Sequence, residues 1–146
     1  MCWISKELKI KTSKKNIPIW KVVLFNVIER KYISPIKSFH YTPATRYSTQ
    51  MVFSVDKYFG NINGHNGFHS FSNKLYYTYL KETEKVVVYK KSFLPYGPIY
   101  NFSNDGDYNT YLVIAKGYIP KGTRYAINKK GEIISNDIIL NEFIKL

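Results

Sequence analysis

The segment IPIWKVVLFNVI, residues 17–28, constrains this chain more than any other stretch. Pro18 opens it, and β-branched and aromatic side chains dominate it, so it reads as a buried strand. The other segments are read against that strand. Shorter strands are expected at residues 51–55 and at residues 85–90, around Val86, Val87 and Val88. The C-terminal part reads as a small antiparallel sheet. Its strands are expected at 111–119, 123–127 and 132–134, with turns at 120–122 and 128–131 and a last apolar stretch at 138–144. Residues 34–49 carry Pro35 and Pro43 in a polar setting and read as loop or irregular edge. The glycine- and asparagine-rich stretch 60–67 reads as turns, and residues 92–109 as a long loop. One helix is expected over residues 72–84. Ser72 or Asn73 would cap it, and Leu75, Tyr76, Tyr79 and Leu80 fall on one face at helical spacing. The expected fold is therefore a β-rich α+β single domain over residues 1–146, with one main helix and a C-terminal antiparallel sheet.

Composition narrows the setting. The chain has 146 residues with one cysteine, which excludes a disulfide framework and suits a reducing compartment. No apolar run reaches the roughly 18 residues of a membrane span. The first ten residues lack the apolar core of a signal peptide. A cytoplasmic protein without membrane contact is expected, in the host cytoplasm if a phage encodes it. The net charge is +12, and 14 residues are tyrosine. A charge this positive repels itself in a compact fold, so an anionic partner is expected. The charge is uneven. Residues 1–48 carry net +8, residues 49–100 net +3 and residues 101–146 net +1. An AT-rich genome accounts for abundant Lys, Asn, Ile, Tyr and Phe without any partner.

Two clusters could carry chemistry. GHNGFHSFS, residues 64–72, sets His69, Ser70 and Ser72 ahead of the expected helix, where amides and hydroxyls suit a phosphate or carboxylate. The structural reading of the same residues is a glycine loop whose histidine bonds the backbone. His65 and His69 lie four apart with Gly67 between them and no third ligand at recognisable spacing, so no metal is expected. In IPKGTRY, residues 119–125, a tight turn projects Lys121, Arg124 and Tyr125. The guanidinium could grip a phosphate, and the ring could stack on a base. The structural reading is a solvated turn whose lysine keeps a sheet edge soluble. Cys2 has no activating base nearby and reads as a bystander thiol. Nucleotide-binding glycine loops and serine-elbow motifs are absent, and no cofactor is expected.

The GFHSF segment, IPKGTRY and the following Ser135 resemble a group of small proteins of gut bacteria and their phages. That resemblance implies a mobile-element setting, in which small proteins can counter host defence by sequestering nucleotide signals. A weaker resemblance is to the ADP-ribosyltransferase fold. It rests on His40 in SFHYT, on GFHSFSNKLYYTY, and on Glu142 in ILNEFI. It implies that His40 holds the nicotinamide ribose and Glu142 polarises its 2′-hydroxyl. Tyr41 stands where that family has glycine, and His69 where it has a stacking tyrosine.

These readings converge on non-catalytic sequestration of a small phosphorylated ligand of nucleotide or ADP-ribose type. His69, Ser70, Lys121 and Arg124 would hold phosphate, while Tyr125 and Tyr76 or Tyr77 would stack on the base. The pocket is expected between the helix start and the C-terminal hairpin, and a homo-oligomer stays open. The alternatives are a transferase built on His40 and Glu142, and a nonspecific nucleic-acid binder using the basic first third.

Overall fold

In the computed structural model the residues described are 3–34, 39–80, 85–90, 100–103 and 110–145. They form sixteen strands and no helix. In chain order these are β1 (Trp3–Ser5), β2 (Lys11–Thr12), β3 (Ile17–Asn26), β4 (Lys31–Ile33), β5 (His40–Tyr41) and β6 (Thr45–Ser48). Next come β7 (Val52–Val55), β8 (Ile62–His65), β9 (Phe68–Phe71), β10 (Leu75–Leu80) and β11 (Lys85–Lys90). The last five are β12 (Tyr100–Ser103), β13 (Thr110–Ile119), β14 (Arg124–Ile127), β15 (Glu132–Ser135) and β16 (Asp137–Lys145).

The expected central strand is β3. It pairs antiparallel with β13 along ten residues, from Ile17↔Ile119 to Asn26↔Thr110. Alternation then divides the side chains between two faces. Ile19, Val23, Val113, Ala115 and Ile119 point to one face, and Val22, Leu112 and Ile114 to the other. Both faces are apolar, so both must be covered.

The larger sheet runs β2-β14-β15-β9-β3-β13-β16-β6, with β4 on the β9 edge of β3 and β5 beyond it. Tyr41 of β5, Phe68 of β9, Ile133 of β15 and Leu140 of β16 all join Ile19 and Val113 in one core. The sheet therefore curls around its own inner face. Its outer face is covered by two three-stranded sheets. In one, β10-β11-β12 sets Leu75 and Val88 on Val22, Phe71, Leu112 and Ile114. In the other, β1-β8-β7 sets Trp3, with Phe53 and Ile62, on Ala126 and Ile134. Burying each such aliphatic or aromatic side chain is worth roughly 1.5–3 kcal/mol.

The expected helix at 72–84 is a strand over its described part, so the fold is all-β rather than α+β. Leu75–Leu80 pairs with Lys85–Lys90 from Leu75↔Lys90 to Leu80↔Lys85. Residues 81–84 lie outside the described residues. The sequence LYYTYL is aromatic and β-branched, which suits a pleated surface and loses rotamer freedom in a helix. The pairing also gives the valine-rich β11 a backbone partner. Leu75 and Val88 are both buried beneath this sheet. Tyr76 faces the other way, with Lys74 Nζ 5.2 Å from its ring centre. Ser72 caps nothing; its amide and its hydroxyl both donate to the Gly131 carbonyl.

Three stretches read as loop or turn also hold strands. β5 and β6 lie within 34–49, β8 within 60–67 and β12 within 92–109. Short polar strands carry little hydrophobic alternation, so their pairing comes from neighbours. Gly64, for instance, sits in a ladder between Trp3 and Phe53.

A bulge lets β16 serve the core at both ends. Opposite Lys116 and Gly117 the register jumps from Glu142 to Leu140, skipping Asn141. The skip changes the alternation, so Ile138, Leu140 and Phe143 all pack inward. A Cβ on Gly117 would lie 1.9 Å from the Ile139 carbonyl oxygen. Gly117→Val is expected to lower unfolding stability by at least about 2 kcal/mol in a urea titration, because backbone must move to admit it.

Candidate functional site

The turn after β13 is tied to the segment that follows β2. The Ser13 amide donates to the Thr123 carbonyl at 2.9 Å, and the Gly122 amide donates to the Ser13 carbonyl at 2.8 Å. The buried Ser13 hydroxyl donates to the Pro120 carbonyl and accepts from the Thr123 amide. Asn16 Oδ1 accepts the Lys121 amide at 2.9 Å. Gly122, at φ +86°, supplies the left-handed residue this turn requires. On the strand side Arg124 pairs with Thr12, and Tyr125 with Lys11.

These bonds bring the basic N-terminal segment against IPKGTRY. Lys11, Lys14, Lys15, Lys121 and Arg124, all exposed, ring one edge of the larger sheet. Among the described residues no carboxylate forms an ion pair with any of the five. Glu7 pairs with Lys9, and Asp137 with Arg46. Lys11 lies on the Tyr125 side of the edge, while Arg124 lies on the Thr12 side. Cations therefore flank the edge instead of lining one pocket.

The structure groups Lys121, Arg124 and Tyr125 and places the other expected site residues elsewhere. Tyr125 is half-buried against the inner core, which leaves part of its ring for a ligand. Ser70 is 1% exposed, opposite Ile133, with its hydroxyl unpartnered inside the protein. It cannot meet a dissolved phosphate in this state. His69 pairs with Ile134 on β9, two strands from β14. GFHSF serves packing. Phe68 enters the inner core and Phe71 the outer one, and a Cβ on Gly67 would come within 2.2 Å of Ile134 Cγ1. Tyr76 and Tyr77 belong to the separate sheet over Val22 and Leu112.

His40 and Glu142 are both exposed, on β5 and β16. Strands β4, β3 and β13 stand between them in the sheet, and their neighbours Tyr41 and Phe143 take the inward positions. Cys2 lies outside the described residues. Among the described residues no group of three or more His, Cys, Asp or Glu could hold a metal ion. No helix among them is long and apolar enough to cross a membrane. Comparison with family models, curated proteins and solved structures gives no match.

Two polar features had no sequence signal as sites. Ser54 Oγ and His65 Nε2 lie 3.0 Å apart on the exposed face of β7 and β8, where only the antiparallel pairing brings them together. The other is Lys21, an inward position of β3 and only 7% exposed. Beside it, β3 pairs with β9 only at Trp20↔Phe71 and with β4 only from Leu24. Lys21 Nζ fills that seam, donating to the His69 carbonyl and lying 5.7 Å from the Tyr41 ring centre.

Burial lowers the Lys21 ammonium from its ordinary 10.5 to about 8. Burial, and then the Tyr47 hydroxyl, push Tyr41 upward from its ordinary 10.0. Between those two values the unfolded chain holds the Lys21 proton and the folded protein releases it, so stability rises with pH. Above pH 10 the protonated Tyr41 offsets that rise, and beyond the ordinary Lys21 value of 10.5 the slope turns downward. Unfolding free energy measured by urea titration is expected to gain about 2 kcal/mol from Lys21 between pH 8 and pH 10. Lys21→Met is expected to remove that rise; an unchanged rise in the variant assigns it to another group.

Proposed function

We propose that this protein binds phosphorylated, nucleotide-type ligands on the β2–β14 edge and sequesters them without chemical change. The observation that carries this reading is the gathering of Lys11, Lys14, Lys15, Lys121 and Arg124 on one sheet edge, none of them in an ion pair among the described residues. Arg124 offers a planar fork for phosphate oxygens, and the lysines offer mobile point charges. Each such pairing is worth from about 1 kcal/mol in water to about 4 kcal/mol at a partly desolvated surface. Because the cations flank both sides of the edge, a ligand with several phosphates engages more of them than a single phosphate does. His40 and Glu142 lie on different strands and both are exposed, with Tyr41 and Phe143 beside them turned to the core, which favours binding over transferase chemistry. In the setting implied by the resemblance to small phage proteins, such sequestration is a counter-defence activity in the host cytoplasm.

Calorimetric titration with a nucleoside triphosphate tests the reading, with mass spectrometry of the ligand released on denaturation. The ligand is expected back intact. Arg124→Ala is expected to weaken binding by about ten- to a hundredfold, the loss of a charged hydrogen bond. Arg124 is exposed, so the variant should unfold at the parent's urea midpoint. Unchanged affinity in Arg124→Ala would remove this edge as the site, and a cleaved ligand would make the protein an enzyme.

A further inference from the structure

The tip joining β7 to β8 carries two aromatic side chains that the fold leaves uncovered. Tyr58 is 93% exposed and Phe59 is 73% exposed. The tip itself is well tied. The Asp56 amide donates to the Asn61 carbonyl at 2.8 Å, and the Gly60 amide donates to the Asp56 carbonyl at 2.9 Å. Asp56 Oδ1 accepts the Tyr58 amide at 2.9 Å. Gly60, at φ +67°, closes the turn. The backbone thus presents both rings to solvent from a bonded turn.

The tip also adjoins the basic segment. Lys6 Nζ donates to the Phe59 carbonyl at 3.4 Å. From Lys6 the chain runs past Lys9 to the edge at Lys11, Lys14 and Lys15. Two contacts hold this run along β14: Asn128 Nδ2 donates to the Ile4 carbonyl, and Thr12 pairs with Arg124. Three carboxylates lie on the way and each is engaged: Glu7 by Lys9, Asp56 by the Tyr58 amide and Glu132 by Asn128 Nδ2. The two contacts along β14 set Ile4 and Thr12 about four residues of β14 apart, roughly 14 Å, enough for the run to follow a few phosphates. Two exposed rings lead into this row of cations.

From this juxtaposition we propose that the protein binds single-stranded nucleic acid, stacking bases on Tyr58 and Phe59 while Lys6 to Lys15, Lys121 and Arg124 follow the phosphates. The inference rests on the anion-binding reading of the β2–β14 edge and names its ligand class. Stacking on an aromatic ring is worth roughly 1–3 kcal/mol per base and is indifferent to sequence. Base faces are open in a single strand and hidden in a duplex, so the exposed rings favour the single strand. An anionic lipid surface would meet Lys6 and Lys57 at the tip, but Lys11, Lys14, Lys15, Lys121 and Arg124 continue along the sheet edge away from it, as the phosphates of a strand would.

The test is fluorescence anisotropy of the intact protein with a labelled oligothymidylate of about twelve nucleotides, a length within the range that single-strand-binding folds cover. The expected result is binding tighter than to a duplex of equal length, with log affinity falling by about 0.7 per phosphate neutralised for each unit of log salt. Tyr58→Ala with Phe59→Ala is expected to weaken oligothymidylate binding by about ten- to a hundredfold and leave its salt slope unchanged. Both rings are exposed, so the urea midpoint should hold, and affinity for a nucleoside triphosphate should fall far less than affinity for oligothymidylate.

The other outcomes separate the two readings. Equal oligothymidylate affinity in parent and aromatic variant, with triphosphate binding intact, overturns the stacking platform and leaves the anion edge standing. Equal affinity for duplex and single strand overturns it too. No binding of either anion overturns both readings. Binding to phosphatidylserine vesicles that the aromatic variant loses, without binding to oligothymidylate, assigns the tip to a membrane surface instead.

Discussion

The ten-residue ladder between β3 and β13 is the constraint on which the rest of the structure depends. It sets the alternation that gives the larger sheet two apolar faces, and each face then requires cover. The inner face is covered by curling, which brings Tyr41, Phe68, Ile133 and Leu140 around Val23 and Val113. The outer face is covered by two small sheets of short strands. Their pairing is stabilised where they shield Val22, Ile114 and Ile134.

The second edge of β3 is divided between β9 and β4, and Lys21 occupies the division. A buried ammonium is costly, and here a backbone carbonyl and an aromatic ring offset part of that cost. The neighbouring Ser70 hydroxyl has no partner, so polar satisfaction at this seam is incomplete. The seam therefore joins a tight apolar core to a locally frustrated polar group.

The surface follows a separate logic. Ser13, a small buried residue with no charge of its own, stitches the segment after β2 to the turn after β13. That stitch collects cations from two ends of the chain on one edge. Like charges held close repel one another, and a strand edge rich in lysine resists pairing with another sheet. On the reading proposed above, an anionic ligand relieves that repulsion.

Periodicity and composition alone determined much of this protein. The strand at residues 17–26, the strand at 111–119 and the hairpin around 128–131 were legible because long apolar runs and turn residues act locally, although the apolar Val27 and Ile28 belong to a turn. The net charge and its concentration in the first third were legible by counting. LYYTYL is ambiguous because Leu75, Tyr76, Tyr79 and Leu80 fit one helical face while its tyrosines and threonine favour strand, and only β11 beside it decides between the two. GFHSF looked like chemistry because histidine and serine are reactive types; the structure spends it on packing, with Ser70 turned inward. The lysines near residue 11 and the cations near residue 121 could not be joined from sequence, since more than a hundred residues separate them. Short-range physics writes strands and turns into the sequence. The basic edge, the aromatic tip beside it and the buried Lys21 come from long-range pairing, which only the tertiary structure decides.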